Sequence, residues 1–180
     1  MSSVIISGDT SGSITVAAPA AAGTNTITMP ASTGTMALTS DVDSVLNTYA
    51  TFVNSTELVT VSATAATGTI NYDTNTQSVV YYTSNAAADW TINFRASSGE
   101  TLNSKLSTGE AITVVHLVTI GSSEYRNATV QVDGSSITPE WQGGSAPTEG
   151  NANSIDSYSY NIIKTGAATF TILAAITQFA

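Results

Sequence analysis

From residue 57 onward the chain alternates. Trp90, Ile92 and Phe94 are separated by Thr91 and Asn93, Tyr158, Tyr160 and Ile162 by Ser159 and Asn161, and Val130 and Val132 by Gln131. A side-chain period of two is the mark of strands with one buried face. Candidate strands are 58–63, 69–72, 78–83, 90–95, 111–120, 125–132, 137–142, 157–164 and 169–177. Turn residues fill the gaps: Asp73-Thr74-Asn75, Ser97-Ser98-Gly99, Gly121-Ser122-Ser123, Asp133-Gly134 and Gly143-Gly144. Asp133-Gly134 is the strongest hairpin signal, because Gly takes positive φ without a Cβ penalty. Val114-Val115-His116-Leu117-Val118 is apolar on both faces, which places it in the middle of a sheet or against a partner. So many short strands in the stretch 57–180 predict an all-β domain, a β-sandwich of jelly-roll type. Two long loops interrupt it. The one over 97–110 has room for a helical turn at 102–106, and the one over 143–156 is rich in Gly, Ser, Asn and Pro.

The first 40 residues are different. They hold one charged side chain, Asp9, and no aromatic residue. Val4-Ile5-Ile6, Ser13-Ile14-Thr15-Val16, Asn25-Thr26-Ile27-Thr28-Met29 and Met36-Ala37-Leu38 are β-prone pieces between glycines and prolines. Short strands with so little apolar bulk do not close a core alone. This zone therefore orders against other copies, another protein or the main domain, as an extended β-arm, or else is a disordered tail. Residues 41–56 read as a short amphipathic helix linker: Ser40 or Asp41 is an N-cap, and Val42, Val45, Leu46, Tyr49, Phe52 and Val53 recur at helical spacing. That stripe serves core packing or self-association. The expected organisation is thus arm 1–40, linker 41–56 and β-domain 57–180.

Charge narrows the partners. Four basic residues, Arg95, Lys105, Arg126 and Lys164, stand against 13 acidic ones, for a net charge of −9. Nucleic-acid binding needs clustered Lys and Arg, and an anionic membrane surface needs a polybasic segment, so neither is an expected partner. No run of 18 apolar residues occurs, so no membrane insertion is expected. Polarity comes instead from 30 Thr and 24 Ser, which together make 30% of the chain. Met1-Ser2-Ser3-Val4 has neither a basic nor an apolar secretory region, so synthesis in a cytosol without export by that route is expected.

Chemistry-bearing residues are sparse. With no cysteine, disulfides, thiolate metal sites and cysteine nucleophiles drop out. The single histidine, His116, lies in the most apolar strand and reads as a core residue rather than a base. No G-x-S-x-G elbow, no histidine–carboxylate metal cluster and no phosphate loop is present. The acids are scattered over strand ends and loops, whereas glycoside cleavage needs two facing carboxylates. No catalytic residue, metal or cofactor is therefore expected. Asn54-Ser55-Thr56 and Asn127-Ala128-Thr129 match the glycosylation pattern but, without a secretory signal, carry no weight. The aromatics remain. Tyr81, Tyr82, Trp90, Tyr125, Trp141, Tyr158 and Tyr160 suit either a sugar-stacking face or a core. Trp141, beside Gly143-Gly144 and a polar loop, is the one expected to be partly exposed, and Trp141 with Tyr125 forms the candidate surface-binding pair.

Residues 6–42, ISGDTSGSITVAAPAAAGTNTITMPASTGTMALTSDV, resemble a segment that recurs in bacteriophage tail-fibre and other virion structural proteins, especially those of marine phages. The stretch from Trp90 onward, above all VDGSSITPEWQGGSAPTEGNANSIDSYSYNIIKTGAATFTILAAITQF, is similar to the C-terminal β-domain of such proteins. The resemblance implies a non-enzymatic virion component, commonly a homotrimer, made in the bacterial cytoplasm and bound to other capsid, neck or tail proteins. Tail fibres with a repetitive shaft are far longer, so a short tail or head appendage fits better. A capsid decoration protein and a module that binds host-surface glycan are the alternatives.

Overall fold

The structure, a computed structural model, describes residues 3–7, 11, 13–17 and 56–179. The chain forms two compact units, residues 1–53 and 54–180. In the first, β1 (Ser3–Ser7) and β2 (Ser13–Ala17) pair antiparallel, with Val4 opposite Val16 and Ile6 opposite Ile14. These strands are the two pieces expected from Val4-Ile5-Ile6 and Ser13-Ile14-Thr15-Val16. Ile5 is 62% exposed, so the hairpin leaves apolar surface in water. The strands expected at 25–29 and 36–38 and the helix over 42–53 lie outside the described residues.

The second unit is all-β. Its strands are β3 (Val59–Ala65), β4 (Gly68–Asp73), β5 (Val79–Ser84), β6 (Trp90–Arg95), β7 (Ala111–Thr119), β8 (Asn127–Val132), β9 (Ser135–Ile137), β10 (Glu140–Trp141), β11 (Ile155–Gly166) and β12 (Thr169–Phe179). They form a six-stranded sheet in the order β10-β12-β11-β7-β5-β3 and a four-stranded sheet in the order β4-β6-β8-β9. The apolar run in β7 is central in the larger sheet, where its composition asks it to be.

A jelly roll joins its neighbours antiparallel. Here β3-β5-β7 and β4-β6-β8 pair parallel. The connections explain it. From β3 to β8 every connection crosses from one sheet to the other, so alternate strands return to the same sheet running the same way. The chain winds like a flattened coil. Small buried residues, Ala66, Ala86 and Ala96, sit where it turns over between layers, and Ala87 N–H donates to Ala66 C=O at 3.0 Å. The antiparallel ladders of this unit all involve strands that follow the coil. Asp133-Gly134 makes the β8–β9 hairpin with φ of 51° and 81°, the pattern of a type I′ turn. The segment expected as one strand over 137–142 is instead divided between β9 and β10, in different sheets. Pro139, which has no N–H for a ladder, stands at the break.

One core lies between the sheets. Ile70, Tyr72, Trp90, Ile92, Phe94, Val130 and Val132 of the smaller sheet meet Val80, Val114, Val118, Tyr158, Tyr160, Ile162 and Ile172 of the larger. The alternation of β6, β8 and β11 aims these residues inward. At one end of the core, the helical turn α1 (Leu102–Lys105) inserts Leu102, which is fully buried. Both ends of α1 are held. The Asp133 carboxylate accepts from Leu102 N–H at 2.7 Å and Asn103 N–H at 2.9 Å, and Lys164 Nζ donates to Asn103 C=O at 2.5 Å and Leu106 C=O at 2.8 Å. Each charge meets the end of the turn that favours it.

Polar side chains tie the layers together. Tyr72 Oη donates to Val115 C=O across the core at 3.1 Å. Asn127 is the hub. Its Nδ2 donates to Trp90 C=O at 3.1 Å and Thr129 C=O at 3.0 Å, its Oδ1 accepts from Tyr160 Oη at 3.0 Å, and its N–H donates to Tyr158 Oη at 3.4 Å. Strict alternation from Val130 and Val132 would put Asn127 outside. A one-residue bulge turns it in: Trp90 pairs with Asn127 but Thr91 with Thr129, leaving exposed Ala128 as the extra residue. Asn127→Ala removes every side-chain partner at this hub, strands buried groups on both sheets, and should cost about 3 kcal/mol of unfolding free energy. Urea denaturation checks this, with Asn161→Ala, on the outer face, expected to cost well under half as much.

Candidate functional site

Trp141 is the natural starting point. It is carried on β10, which pairs parallel with β12 so that Glu140 faces Leu173 and Trp141 faces Ala174. Ala174 points into the core, so Trp141 does as well. Its ring packs edge-on against Tyr158 and Tyr160, with centroids 6.4 Å and 6.2 Å away. Those two tyrosines are themselves stacked at 8°. After β10 the backbone turns sharply at Gly143 and Gly144, with φ of 82° and 83°, which L side chains rarely adopt. Trp141 is half-buried. It closes the open edge of the core with one face and leaves the other for the surface.

Two grooves flank β10, the first on the outer face of the larger sheet and the second on the side to which Trp141 turns its ring. The first, about 480 Å³, is lined by Glu140, Trp141, Gln142, Thr113, Asn161 and Leu173. The second, about 250 Å³, lies between Trp141 and the β8–β9 side, where Arg126, Ser136, Ile137, Pro139 and Ala146 line it. In the second groove Trp141 stands with Arg126, Ser136 and Thr138, and an aromatic side chain beside charged and hydroxyl groups has the makings of a saccharide subsite, since the ring covers the apolar face of a sugar and the polar groups meet its hydroxyls. Tyr125 lines neither groove. It sits in the connection before β8, half-buried and packed against the core. The structure does not bring the expected pair together at a groove. Asn127, the hub of the core, is a residue that sequence reasoning passes over. The bulge that turns it inward has no sequence signature beyond a polar residue at the start of an apolar strand.

A third groove, about 410 Å³, opens by Asn93, Arg95, Ser97, Glu100, Thr101 and Asp133. Its polar groups are engaged with one another. Asn93 Nδ2 donates to Asn71 Oδ1 at 2.8 Å, Arg95 pairs with Asp73 at 2.5 Å, and Glu100 accepts from Asn75 Nδ2 at 2.9 Å. Asp73-Thr74-Asn75 forms a turn, with Thr76 N–H donating to Asp73 C=O at 3.1 Å. Among the described residues no three His, Asp or Glu side chains cluster as metal ligands, and no helix is long and apolar enough to cross a membrane. No known protein family, curated protein or solved structure matches the chain.

His116 lies on the inner face of β7, fully buried between Tyr82 and Trp90, with ring centroids 5.3 Å and 5.9 Å away and both rings edge-on. It is the core histidine the sequence suggests. Among the described residues neither ring nitrogen has a hydrogen-bond partner, and the Trp90 indole N–H likewise has none. Burial pushes the imidazole down to about 3, so it is neutral in the folded chain. Asp156, also fully buried, accepts from Asn151 N–H at 3.1 Å through one oxygen. Burial raises its carboxyl above the ordinary range, and the Asn151 bond partly offsets this.

Two expectations follow from these placements. Between pH 6.5 and 3 the unfolded chain protonates His116 and the folded chain does not, so this group subtracts stability as pH falls. Asp156 acts in the opposite sense, since acidification neutralises a charge that burial opposes. His116→Leu isolates the first effect: its stability advantage over the parent should widen by about 3 kcal/mol between pH 7 and pH 4, read from denaturation midpoints at each pH. Trp141→Ala, which uncovers the Tyr158–Tyr160 pair, should cost about 2 kcal/mol at neutral pH, measured by the same unfolding.

Proposed function

We propose that the chain is a non-enzymatic structural subunit of a bacteriophage virion, a short tail or head appendage that docks through its N-terminal arm and projects the two-sheet body as a β-sandwich. The observation that carries the reading is the division of labour along the chain. The first unit begins with a hairpin whose strands carry no charge and whose Ile5 is 62% exposed, whereas the second encloses a complete core of its own. A hairpin of that composition gains little by standing alone. It gains main-chain hydrogen bonds by adding to a neighbour's sheet, a contact that asks for neither charge nor bulk. The likeness of residues 6–42 and of the C-terminal half to virion proteins supports the same reading, and copies of the chain, as a homotrimer, together with capsid, neck or tail proteins are its partners. A capsid decoration protein would use the same arm.

A second reading has its own observation. Trp141 lines a groove with Arg126, Ser136 and Thr138 on its walls, which favours a host-glycan contact. The acidic surface, at −9, suits crowding on a particle, because like-charged bodies stay apart.

Removing residues 1–40 should leave a chain that unfolds cooperatively at nearly the parent's midpoint but is missing from assembled particles, as read by mass spectrometry of purified virions. Normal incorporation of the shortened chain overturns the docking account. On a glycan array, binding by the parent that is lost in Trp141→Ala, at a temperature where that variant is folded, supports the second reading; no binding by the parent removes it.

A further inference from the structure

The outer face of the six-stranded sheet is almost without charge. Cross-strand register sets Val59, Val79, Val115, Ser159 and Ala175 in one row and Val61, Tyr81, Leu117, Ser157 and Thr177 in the next. Further rows hold Thr113, Asn161 and Leu173, and Thr119, Ile155 and Phe179. The charged side chain on this face is Glu140, at the far edge opposite Leu173. The rows are most apolar at the β3 end, where Val59 and Val61 are 39% and 65% exposed. The opposite surface differs: the smaller sheet carries the Asp73–Arg95 ion pair and the Asn71–Asn93 amide pair outward.

The two edges of the larger sheet differ as well. β10 is two residues long, follows Pro139 and carries Glu140, all devices that discourage strand addition. β3 is seven residues, VTVSATA, with no charge and no proline, and among the described residues it pairs on one side only, with β5. An unguarded edge thus continues directly into an uncharged, β-branched face.

We infer that the β3–β5–β7 face and the β3 edge form the surface through which one copy of this chain meets a second copy. The charge distribution selects that occupant. Two copies each at −9 repel, so they make lasting contact where their facing surfaces carry no charge. A basic partner would be met by acidic side chains, and this face has none among β3, β5 and β7. Valine, leucine and tyrosine rows interdigitate with their own kind at the spacing of stacked sheets. The inference deepens the proposed structural role and rests on it, yet the two fail separately. A chain that self-associates through this face but is absent from virions overturns the role alone. A chain that is incorporated although it never self-associates overturns the surface alone.

The test is sedimentation of the full chain over about 1–100 μM. The parent should self-associate, and more tightly as salt rises to about 0.5 M and screens repulsion between acidic copies. Val61→Asp, which puts a charge in the middle of the exposed row, should raise the dissociation constant by about tenfold or more. Thr69→Asp adds the same charge on the outer face of the smaller sheet and should leave association within about twofold of the parent. Hydrogen exchange on the parent supplies a reading without substitution: amides of Val59–Ala65 should exchange more slowly in the associated state than after dilution. A monomer at every concentration overturns the inference and gives the face to a different occupant. So do equal losses in both variants, or unchanged exchange in β3.

Discussion

The two layers are held in place by phenolic oxygens that reach across the core. Tyr72 spans from the smaller sheet to the Val115 carbonyl, and Tyr158 and Tyr160 span from the larger sheet to Asn127. A tyrosine is longer than half the separation of stacked sheets, about 10 Å, so the hydroxyl at its tip comes within hydrogen-bond reach of the opposite layer. Burial pushes all three phenols above their ordinary range, which keeps them as neutral donors and acceptors. Once these bonds are made, the angle and slide of one sheet over the other have little freedom. Trp90, Phe94 and Trp141 then pack edge-on around the same tyrosines.

That constraint suits the winding. Because β3 to β8 alternate between layers, a displaced sheet would strain each crossover in turn, and the β3–β4 and β5–β6 crossovers are short, with buried Ala66 and Ala86 at their corners. Parallel neighbours cannot be joined by hairpins. The cross-core hydrogen bonds therefore do work that hairpin turns do in an antiparallel sandwich. The later part of the chain, with its I′ turn at Asp133-Gly134 and its β11–β12 hairpin, closes the coil and supplies the strand that carries Trp141's partners. The surface consequences differ between faces. The smaller sheet is ringed by paired polar groups, the open edge of the core is capped by one indole, and the outer face of the larger sheet is left uncharged.

Much of this is legible from residue order. Alternation alone identifies the inward faces of β6, β8 and β11, and Asp133-Gly134 declares its turn because the φ values demand it. The burial of His116 follows from its neighbours. Other features are not legible, for specific reasons. Whether β4 returns to the sheet of β3 depends on where a two-residue connection can reach, and local propensity is silent on reach. The bulge at Ala128 shifts parity by one residue and moves Asn127 from outside to inside. Pro139 shows that pairing stops, but not that the next strand joins a different sheet. Trp141 reads as partly exposed from its polar, Gly-rich flank and is half-buried, but the sequence does not show that β12 offers Ala174 as its seat.

Taken by itself, the order of residues determined the all-β character of 57–180, the identity of most core side chains, the lack of thiol chemistry and the acidic surface, because each depends on composition or on the period of a single strand. The tertiary structure decided the parallel winding, the Asn127 hub, the separation of Tyr125 from the Trp141 grooves and the segregation of charge away from the β3–β5–β7 face. These depend on which strands become neighbours. Neighbourhood is settled by the fit of whole layers, with tyrosines of the right length and corners small enough to turn, and no single segment encodes that fit.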